Sequence, residues 1–400
     1  MKKKMLMALA AFGLAQSAAA QVSDNVVRIG VLNDQSGLYA DLAGPGSTLA
    51  AQMAVEDFGG SVLGKPVEIV SGDHQNKPDI ASSLARRWID NERVDAIVDI
   101  PHSASALAVL GVAREKNKAL LLSGPAYVEF TGKECSPITV HWTYDSYAMA
   151  NGTAGAVVKQ GGNSWFFLTG DNAGSHSQER DAMAFVKKAG GQVNGAIRHP
   201  LNTADFSSFL LQAQQSKAKV IGLANAGNDT ILAVRAAADF GIVSGGQKVA
   251  AMLTFLSDIH ALGLKTAQGL QLTESFYWNL NDGTRAWSKR FGDRMNGRMP
   301  TMVHAGVYSA LTHYLKAVKA TGSTDADKVA AAMRDIPVSD VVLPKASVRQ
   351  DGRIIRPYYL FEVKKPEESK APYDYYKLVR EIPGEEAARP LNEGNCPLVK

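Results

Sequence analysis

The pattern of apolar and polar positions first changes sharply after residue 32. Residues 26–32 are an apolar run rich in β-branched side chains, and polar and glycine-rich residues follow directly, which indicates a buried strand ending in a loop. Pro45 stands where a first helical turn tolerates proline, so a helix follows the loop. This unit predicts the beginning of a parallel α/β sheet, and such sheets bind ligands beyond the carboxyl ends of their strands. The loop 33–46, with the large side chain of Tyr39, is therefore a candidate binding edge.

Apolar strands and amphipathic helices continue to alternate as far as residue 253. The predicted strands are 67–71, 96–100, 119–123, 164–169, 192–198, 219–224 and 248–253. The predicted helices are 79–91, 104–116, 147–160, 176–189, 204–216 and 229–240. Strands that alternate with helices of about a dozen residues indicate βαβ crossovers and parallel sheets. From residue 269 the pattern changes to a strand, 270–277, a helical block, 284–334, and short strands up to 379.

The first twenty residues predict an export signal rather than part of the fold. Lys2, Lys3 and Lys4 form a basic segment, and the apolar segment 5–14 is too short to span a membrane. Small residues then lead to a predicted cleavage site after Ala20. No cysteine lies near that site, which argues against lipid attachment, so we expect the periplasm of a bacterium.

Length and charge narrow the range of functions further. The 400 residues exceed the roughly 250–300 that one hydrophobic core usually supports, so we expect two domains. The 43 Lys and Arg against 39 Asp and Glu give a formal charge of +4, and three of the lysines lie in the predicted signal. The remaining chain is nearly neutral, which argues against binding to nucleic acid or to a membrane surface.

The motifs of common enzymes and cofactors are missing from the sequence. The stretch from Gly44 begins like a dinucleotide fingerprint, but Leu49 stands where the third glycine belongs. No Walker lysine follows a glycine cluster, no serine lies in a GxSxG motif, and no histidines have metal-binding spacing. We therefore predict no catalytic residue, no metal and no cofactor, and an exported α/β hydrolase is the alternative from another class.

The sequence contains two cysteines, Cys135 and Cys396. In an oxidising compartment a pair of this kind favours a disulfide over two free thiols. The bond would attach the C-terminal tail to a loop that is distant in sequence.

Serine- and glycine-rich loops follow several of the predicted strands. In the first half, Ser103 and Ser105 open a helix directly after a strand, and the turn at Ser123 follows the next strand. Helix N-terminal amides and serine hydroxyls suit a carboxylate, although ordinary N-capping is the alternative. In the second half, Asp171 and Asn225 begin loops in the same position relative to their strands. Facing edges from two domains predict a cleft for a small molecule.

An exported chain with these motifs resembles the type I solute-binding proteins of ABC importers, the group of the leucine/isoleucine/valine-binding protein. The matching stretches are Val27–Val31, Asp34–Gly37, Ser123–Pro125 and Phe167–Asp171. The stretches Asp73–Pro78 and Thr273–Trp278 are similar to the branch that binds aromatic acids.

This resemblance covers nearly all of 26–379 and implies a periplasmic binding protein type I fold of class α/β. Such a fold has two doubly wound lobes, a hinge with three crossings, and a central cleft that closes on its ligand. The expected division is 26–145 with 270–345 for lobe 1, 146–269 with 346–380 for lobe 2, and a tail, 381–400, held by the disulfide.

The resemblance also implies roles for particular residues. The segments around Ser103 and Ser123 match the positions that hold a ligand carboxylate. Amino-acid binders of this group usually carry a tyrosine where this chain has Asn172, and a glutamate for the ammonium where it has Phe255 and its neighbours. A buried ammonium without a paired carboxylate would cost several kcal/mol. Both departures therefore argue against an α-amino acid ligand.

We therefore expect a capture protein for a small organic anion, an aromatic carboxylate, which it delivers as a monomer to an ABC transporter permease. A branched-chain amino acid or amide ligand is the alternative within the fold, and a sensor is the alternative partner. We expect the aromatic candidates to surround the body of the ligand, and Asn172 and Asn225 to bind its distal polar group. For Phe276, an ordinary position in the core is the alternative. The candidate ligand-binding residues are Tyr39, His102, Ser103, Ala104, Ser105, Ser123, Gly124, Pro125, Ala126, Tyr144, Asp171, Asn172, Asn225, Phe255, Phe276 and Tyr277.

Overall fold

A computed structural model of the chain describes residues 24–399, and the predicted export signal lies outside the described residues. The predicted alternation of strands and helices is confirmed. The elements up to residue 141 are β1 (Val27–Asn33), α1 (Gly44–Phe58), β2 (Ser61–Val62), β3 (Lys65–Asp73), α2 (Pro78–Asn91), β4 (Ala96–Asp99), α3 (Ser103–Lys116), β5 (Ala119–Leu122) and β6 (Thr139–His141).

These strands form the first sheet, in the order β2-β3-β1-β4-β5-β6. All its pairs are parallel except the hairpin of β2 and β3. The chain moves from β1 to β3 on one side and then to β4 on the other, so the switch point of the sheet lies between β1 and β4. The strands β2 and β6 were not predicted, because two or three residues are too few to show a period.

The second sheet follows the same plan, with the strand order β10-β9-β7-β8 and its switch point between β7 and β9. Its strands are parallel. The elements of this part are α4 (Ser146–Lys159), β7 (Ser164–Gly170), α5 (Ala173–Lys188), β8 (Gln192–His199), α6 (Ser207–Gln215), β9 (Val220–Ala224), α7 (Asn228–Asp239), β10 (Lys248–Ala251), α8 (Leu256–Leu262) and α9 (Leu264–Ala267).

The last part of the chain packs against both of these sheets and forms two further small sheets, one of three strands and one of two. Its elements are β11 (Gln271–Glu274), α10 (Asp282–Arg294), α11 (Met302–Thr321), α12 (Ala326–Asp335), β12 (Ser347–Val348), β13 (Ile354–Ile355), β14 (Tyr358–Val363), β15 (Tyr376–Ile382) and α13 (Gly384–Ala387). Helix α11 is buried along most of its length and packs against α1 beside the first sheet. We call the first sheet with α1–α3 and α10–α12 lobe 1, and the second sheet with α4–α9 lobe 2.

Strand pairing shifts two of the predicted lobe boundaries. The predicted division assigns 270–345 to lobe 1, but β11 pairs with β14 and packs in the hydrophobic cluster of lobe 2. Residues 346–355 were assigned to lobe 2, but Arg353 pairs with His141 at the edge of the first sheet, and Val348 and Ile354 lie in the cluster of lobe 1. Both stretches are short and buried, and such a pattern does not identify the partner strand.

The chain passes between the lobes three times, near Asp145, near Ser275 and near residues 353–356, and two buried arginines of the third crossing connect these segments. The Nε of Arg353 lies 3.0 Å from Oδ2 of Asp145, and both side chains are 1% exposed. Arg353 also donates to the carbonyl of His141 at 3.3 Å, which belongs to the same crossing as Asp145. Arg356 donates to the carbonyl of Ser275 in the second crossing at 2.6 Å. The third crossing therefore holds the other two through charged groups that are removed from water.

The C-terminal tail is attached to lobe 1 as predicted. Cys135 and Cys396 form a disulfide, with 5.6 Å between their Cα atoms and a sequence separation of 261. Arg389 of the tail also donates to Oε1 of Glu129 at 3.2 Å.

Replacing the buried arginine of the hinge should destabilise the whole chain. Arg353→Met leaves Asp145 buried without its cation, so we expect a loss of about 3–5 kcal/mol in the free energy of unfolding. Urea denaturation measures this loss. The control is Lys289→Met, which removes an exposed pair with Asp293 and should change stability by less than about 1 kcal/mol. Adding Asp145→Asn to Arg353→Met should recover part of the loss, and a double variant no more stable than the single one would contradict the role of the pair.

Removing the disulfide should destabilise the chain without changing the fold. In the entropic model, opening a loop of this length costs roughly 5 kcal/mol, which is an upper estimate. The double variant Cys135→Ala with Cys396→Ala should therefore unfold at lower urea concentration than the oxidised chain. Thiol titration of the denatured, unreduced chain should find no free thiol, and two titratable thiols would refute the bond.

Candidate functional site

Loops at the carboxyl ends of both parallel sheets surround a cavity between the lobes. The space between these loops amounts to about 330 Å³ when the open solvent at its mouth is included. The loops belong to the strands at the two switch points and their neighbours, where doubly wound sheets form binding crevices. The lining residues are Tyr39, Leu42, Pro101, Ser103, Gly124, Ala126 and Tyr144 from lobe 1 and its crossing, and Asn172, Gly174, Ser175, Gln178, Ala226, Leu253 and Phe255 from lobe 2.

Seven of the residues predicted from sequence are brought together at this cavity. They come from six different loops, so the sequence alone could not show that they lie close together. These seven are Tyr39, Ser103, Gly124, Ala126, Tyr144, Asn172 and Phe255.

The other candidates of lobe 1 lie behind the lining and support it. The Nδ1 of His102 and Oγ of Ser105 are hydrogen-bonded to each other at 2.9 Å, within the first turn of α3. The carbonyl of Pro125 faces the ring of His141, 2.8 Å from its Nε2. Ser123 is buried and Ala104 is half-buried, and neither lines the cavity.

The remaining candidates of lobe 2 have partners within the protein. Asp171 is exposed and lies 2.9 Å from Nε2 of His176. The amide nitrogen of Asn225 lies 3.1 Å from Nε2 of His199, and its oxygen accepts from the hydroxyl of Thr230 at 2.7 Å. Neither Asp171 nor Asn225 lines the cavity.

Two aromatic candidates near the second crossing are core residues. Phe276 packs edge-on against Trp287, with 5.8 Å between ring centroids. The hydroxyl of Tyr277 donates to the carbonyl of Tyr373 at 2.9 Å, and its ring packs among those of lobe 2. Neither side chain reaches the cavity. Phe276 therefore has the core position that was its alternative, and Tyr277 is a core residue as well.

Sequence reasoning missed half of the lining. Pro101, Gly174 and Ser175 lie within the loop segments that the pattern identified, so their positions could have been included. Leu42 also lies within the predicted binding edge 33–46, but Leu42, Ala226 and Leu253 carry no signal that separates them from apolar core residues. Gln178 lies a full turn inside α5, where a sequence pattern gives no reason to expect a cleft residue.

Two helix N-termini from opposite lobes meet at the cavity. No side chain caps α3, so its first amides are open to another acceptor. At α5, the side chain of Asn172 accepts from the amide of Ser175 at 3.1 Å. A Cβ atom at Gly174 would lie only 2.7 Å from Oγ of Ser103, which shows how closely the two helix ends approach. Their positive dipole ends favour an anion at this point.

Aromatic rings form the wall beside these helix ends. Tyr144 and Phe255 face each other edge-on, with 5.9 Å between ring centroids. The hydroxyl of Tyr144 donates to the carbonyl of Gly124. Burial raises the pKa of the Tyr144 phenol, so the group stays neutral and its position is fixed. Rings held in this way offer a flat apolar surface to a bound molecule.

Charged side chains lie behind the lining rather than in it. Among the described residues that line the cavity, no Asp, Glu, Lys or Arg is present. Asp99 accepts from the amide of Asn33 at 3.0 Å, and burial raises its pKa to about 6. Asp258 accepts from the backbone N–H of Phe255 at 3.0 Å, and burial raises its pKa to about 7. The surface that faces a ligand is therefore neutral, with donors at one end and rings beside them.

Two features are absent from residues 24–399. Within that range no cluster of three or more His, Cys, Asp or Glu side chains is arranged to hold a metal ion. Of the helices in the same range, none combines the length and apolar character that a membrane crossing requires.

Comparison with known proteins gives a consistent result. A periplasmic binding protein from Burkholderia mallei is 50% identical, with a TM-score of 0.91, over 94% of this chain and 100% of that one. A branched chain amino acid ABC transporter periplasmic ligand-binding protein from Burkholderia xenovorans LB400 is 41% identical, with a TM-score of 0.83, over 94% and 100%. A solute binding protein of an ABC transporter from Rhodopseudomonas palustris HaA2, in complex with p-hydroxybenzoic acid, is 23% identical, with a TM-score of 0.81, over 90% and 97%. At this last identity the similarity concerns the fold alone.

The model of one protein family, described as periplasmic binding protein, matches residues 26–370. This match spans most of the chain and agrees with the two doubly wound lobes and the cavity between them. The chain therefore belongs to the periplasmic binding protein family, whose members bind solutes for ABC transporters.

Proposed function

We propose that this periplasmic solute-binding protein captures a small aromatic carboxylate and delivers it to the permease of an ABC transporter. The observation that carries the proposal is a cavity whose lining has no charged side chain and places an uncapped helix N-terminus beside aromatic rings. This combination suits an anionic head on a flat apolar body. The ABC permease is the partner that the family implies.

The carboxylate would bind at the ends of α3 and α5. The amides of the first turn of α3 and the hydroxyl of Ser103 supply donors, and the start of α5 at Gly174 closes the position from the other lobe. Hydrogen bonds from several neutral donors stabilise an anion without a buried cation. Such a site discriminates strongly in favour of a negative group.

The apolar body would lie against Tyr39, Tyr144 and Phe255. Stacked or edge-on ring contacts contribute about 0.5–1.5 kcal/mol beyond the burial of apolar area. The small residues Ala126 and Ala226 line the cavity beside these rings.

A branched-chain amino acid is the second candidate, because a protein 41% identical to this chain carries that description. Its ammonium would need an acidic or carbonyl partner inside the cavity. Asp99 and Asp258 lie behind the lining, and each already accepts a hydrogen bond from the protein. Burying an ammonium with no carboxylate beside it is costly, so the neutral lining favours the aromatic acid.

A ligand screen should separate these candidates. A ligand that binds only the folded chain adds about 2.7 kcal/mol to stability at a concentration of 100 Kd. We expect 4-hydroxybenzoate, benzoate or a related aromatic acid to give the largest thermal shift, and leucine, isoleucine and valine to give none. A larger shift with a free amino acid than with every aromatic acid would refute the proposal. Chemically altered ligand recovered from the incubation would favour an enzyme instead.

Closure of the lobes over the ligand depends on one contact that a glycine allows. The amide of Asn228 in lobe 2 donates to the carbonyl of Leu38 in lobe 1 at 3.3 Å. At the adjacent Gly227, a Cβ atom would lie 2.5 Å from that same carbonyl oxygen. A side chain at this position would therefore hold the lobes apart.

Gly227→Ala should weaken ligand binding by about tenfold or more, because a clash of this kind raises the energy of the closed state alone. Gly227 has φ of +61°, so alanine also costs roughly 1–3 kcal/mol of stability. The control is Gly263→Ala, which has φ of +75° and open space around the added Cβ. Calorimetric titration should show normal affinity in the control and weak affinity in Gly227→Ala. Equal affinities in the two variants would contradict closure at this contact.

A further inference from the structure

One polar side chain in the cavity has a hydrogen-bonding group that the protein leaves unused. Gln178 is 2% exposed and lines the cavity. Its Oε1 is buried and accepts no hydrogen bond from the described residues. Buried polar groups in folded proteins nearly always have a partner, so an unpaired acceptor on a side chain that lines a binding cavity points to a partner on the ligand.

Two other amide side chains of the binding loops are already engaged. The amide of Asn172 donates to Oγ of Ser175 at 2.9 Å and accepts from the Ser175 N–H. The amide of Asn225 is held between His199 and Thr230. The two asparagines that the sequence suggested for a distal polar group are therefore committed elsewhere.

The neighbours of Gln178 on α5 show that the helix satisfies its other polar groups. The Oγ of Ser177 lies 2.6 Å from Oγ of Ser146, and the hydroxyl of Ser146 donates to Oδ2 of Asp181 at 2.5 Å. These contacts join α5 to α4 on a face that does not line the cavity. Gln178 lies on the cavity face instead, together with Gly174 and Ser175.

The position of Gln178 along α5 sets its distance from the carboxylate end. It lies four residues after Gly174, which corresponds to about 6 Å along the helix axis. Because a helical side chain leans toward the preceding turn, the carboxamide of Gln178 borders the part of the cavity that Gly174 and Ser175 also line.

We infer that Gln178 is a specificity-determining residue that accepts a hydrogen bond from a hydroxyl group on the ring of the ligand. The inference rests on the proposed function and narrows it to hydroxylated aromatic acids. An unsubstituted or methylated ring would leave the Gln178 carbonyl unpaired in a closed, dry site. Sites built to pair a hydroxyl reject analogues that lack it, because a buried group then loses its partner.

The test compares three ligands on the full mature chain by calorimetric titration. These are 4-hydroxybenzoate, benzoate and 4-methylbenzoate, with 3-hydroxybenzoate added to locate the hydroxyl. We expect a hydroxybenzoate to bind about 10–100-fold more tightly than benzoate or 4-methylbenzoate. This comparison uses the unaltered chain, so it does not depend on how a variant folds.

Gln178→Met keeps the length of the side chain and removes its acceptor. In this variant the affinities for the hydroxylated acid and for benzoate should differ by no more than about threefold. Its affinity for benzoate should stay within about threefold of that of the unaltered chain. Gln212→Met, at an exposed position on α6, is the matched control and should keep the full preference.

Each outcome decides the inference. Equal binding of all the benzoates by the unaltered chain would overturn the role of Gln178 while the proposed function stands. A preference for hydroxybenzoate that survives in Gln178→Met would overturn it in the same way. If the unaltered chain bound no aromatic acid and bound a free amino acid, the proposed function and this inference would both be overturned.

Discussion

The rest of the structure depends on the charged groups that are buried where the chain passes between the lobes. Arg353 and Asp145 are nearly inaccessible to water, and each would be costly to bury without the other. Because Arg356 also holds the carbonyl of Ser275, the three crossings are fixed to one another although they are far apart in sequence. A hinge of this kind lets two separately built sheets face each other through the carboxyl ends of their strands. The position of every binding loop follows from that arrangement.

The chemistry of the cavity follows from which groups those strand ends present. Parallel sheets bring helix N-termini to the same edge as the loops, so α3 and α5 direct their amides at one point from opposite sides. The carboxylates nearby are kept behind the lining, where Asn33 and the amide of Phe255 donate to them. The site can therefore favour an anion through oriented neutral dipoles. It needs no arginine or lysine, and this leaves the remaining lining free to be apolar and aromatic.

The sequence predicted the elements far better than it predicted their partners. Strand β1 and helix α1 were identified because a β-branched run, a proline and a glycine mark their ends, and these signals are local. The lobe that contains β11 was not identified, because pairing with β14 is decided by residues 85 to 91 positions away. The same limit applies to the site. Ser103 and Asn172 follow directly after strands, so their approximate position was predictable, whereas Phe276 and Tyr277 have the composition of a binding surface but fill the core.

Gln178 shows why the decisive part of a binding site is the hardest to read from sequence. On a helix, a glutamine is ordinarily a surface residue, and its own pattern gives no reason to expect otherwise. Only the packing of α5 across the cleft from Ser103 turns its face toward the cavity. What identifies it is an omission in the hydrogen-bond network, since every neighbouring amide has a partner and this carbonyl has none. Loops set the class of molecule that the fold can accept. The choice among close analogues falls to a residue whose role exists only once the two lobes are placed together.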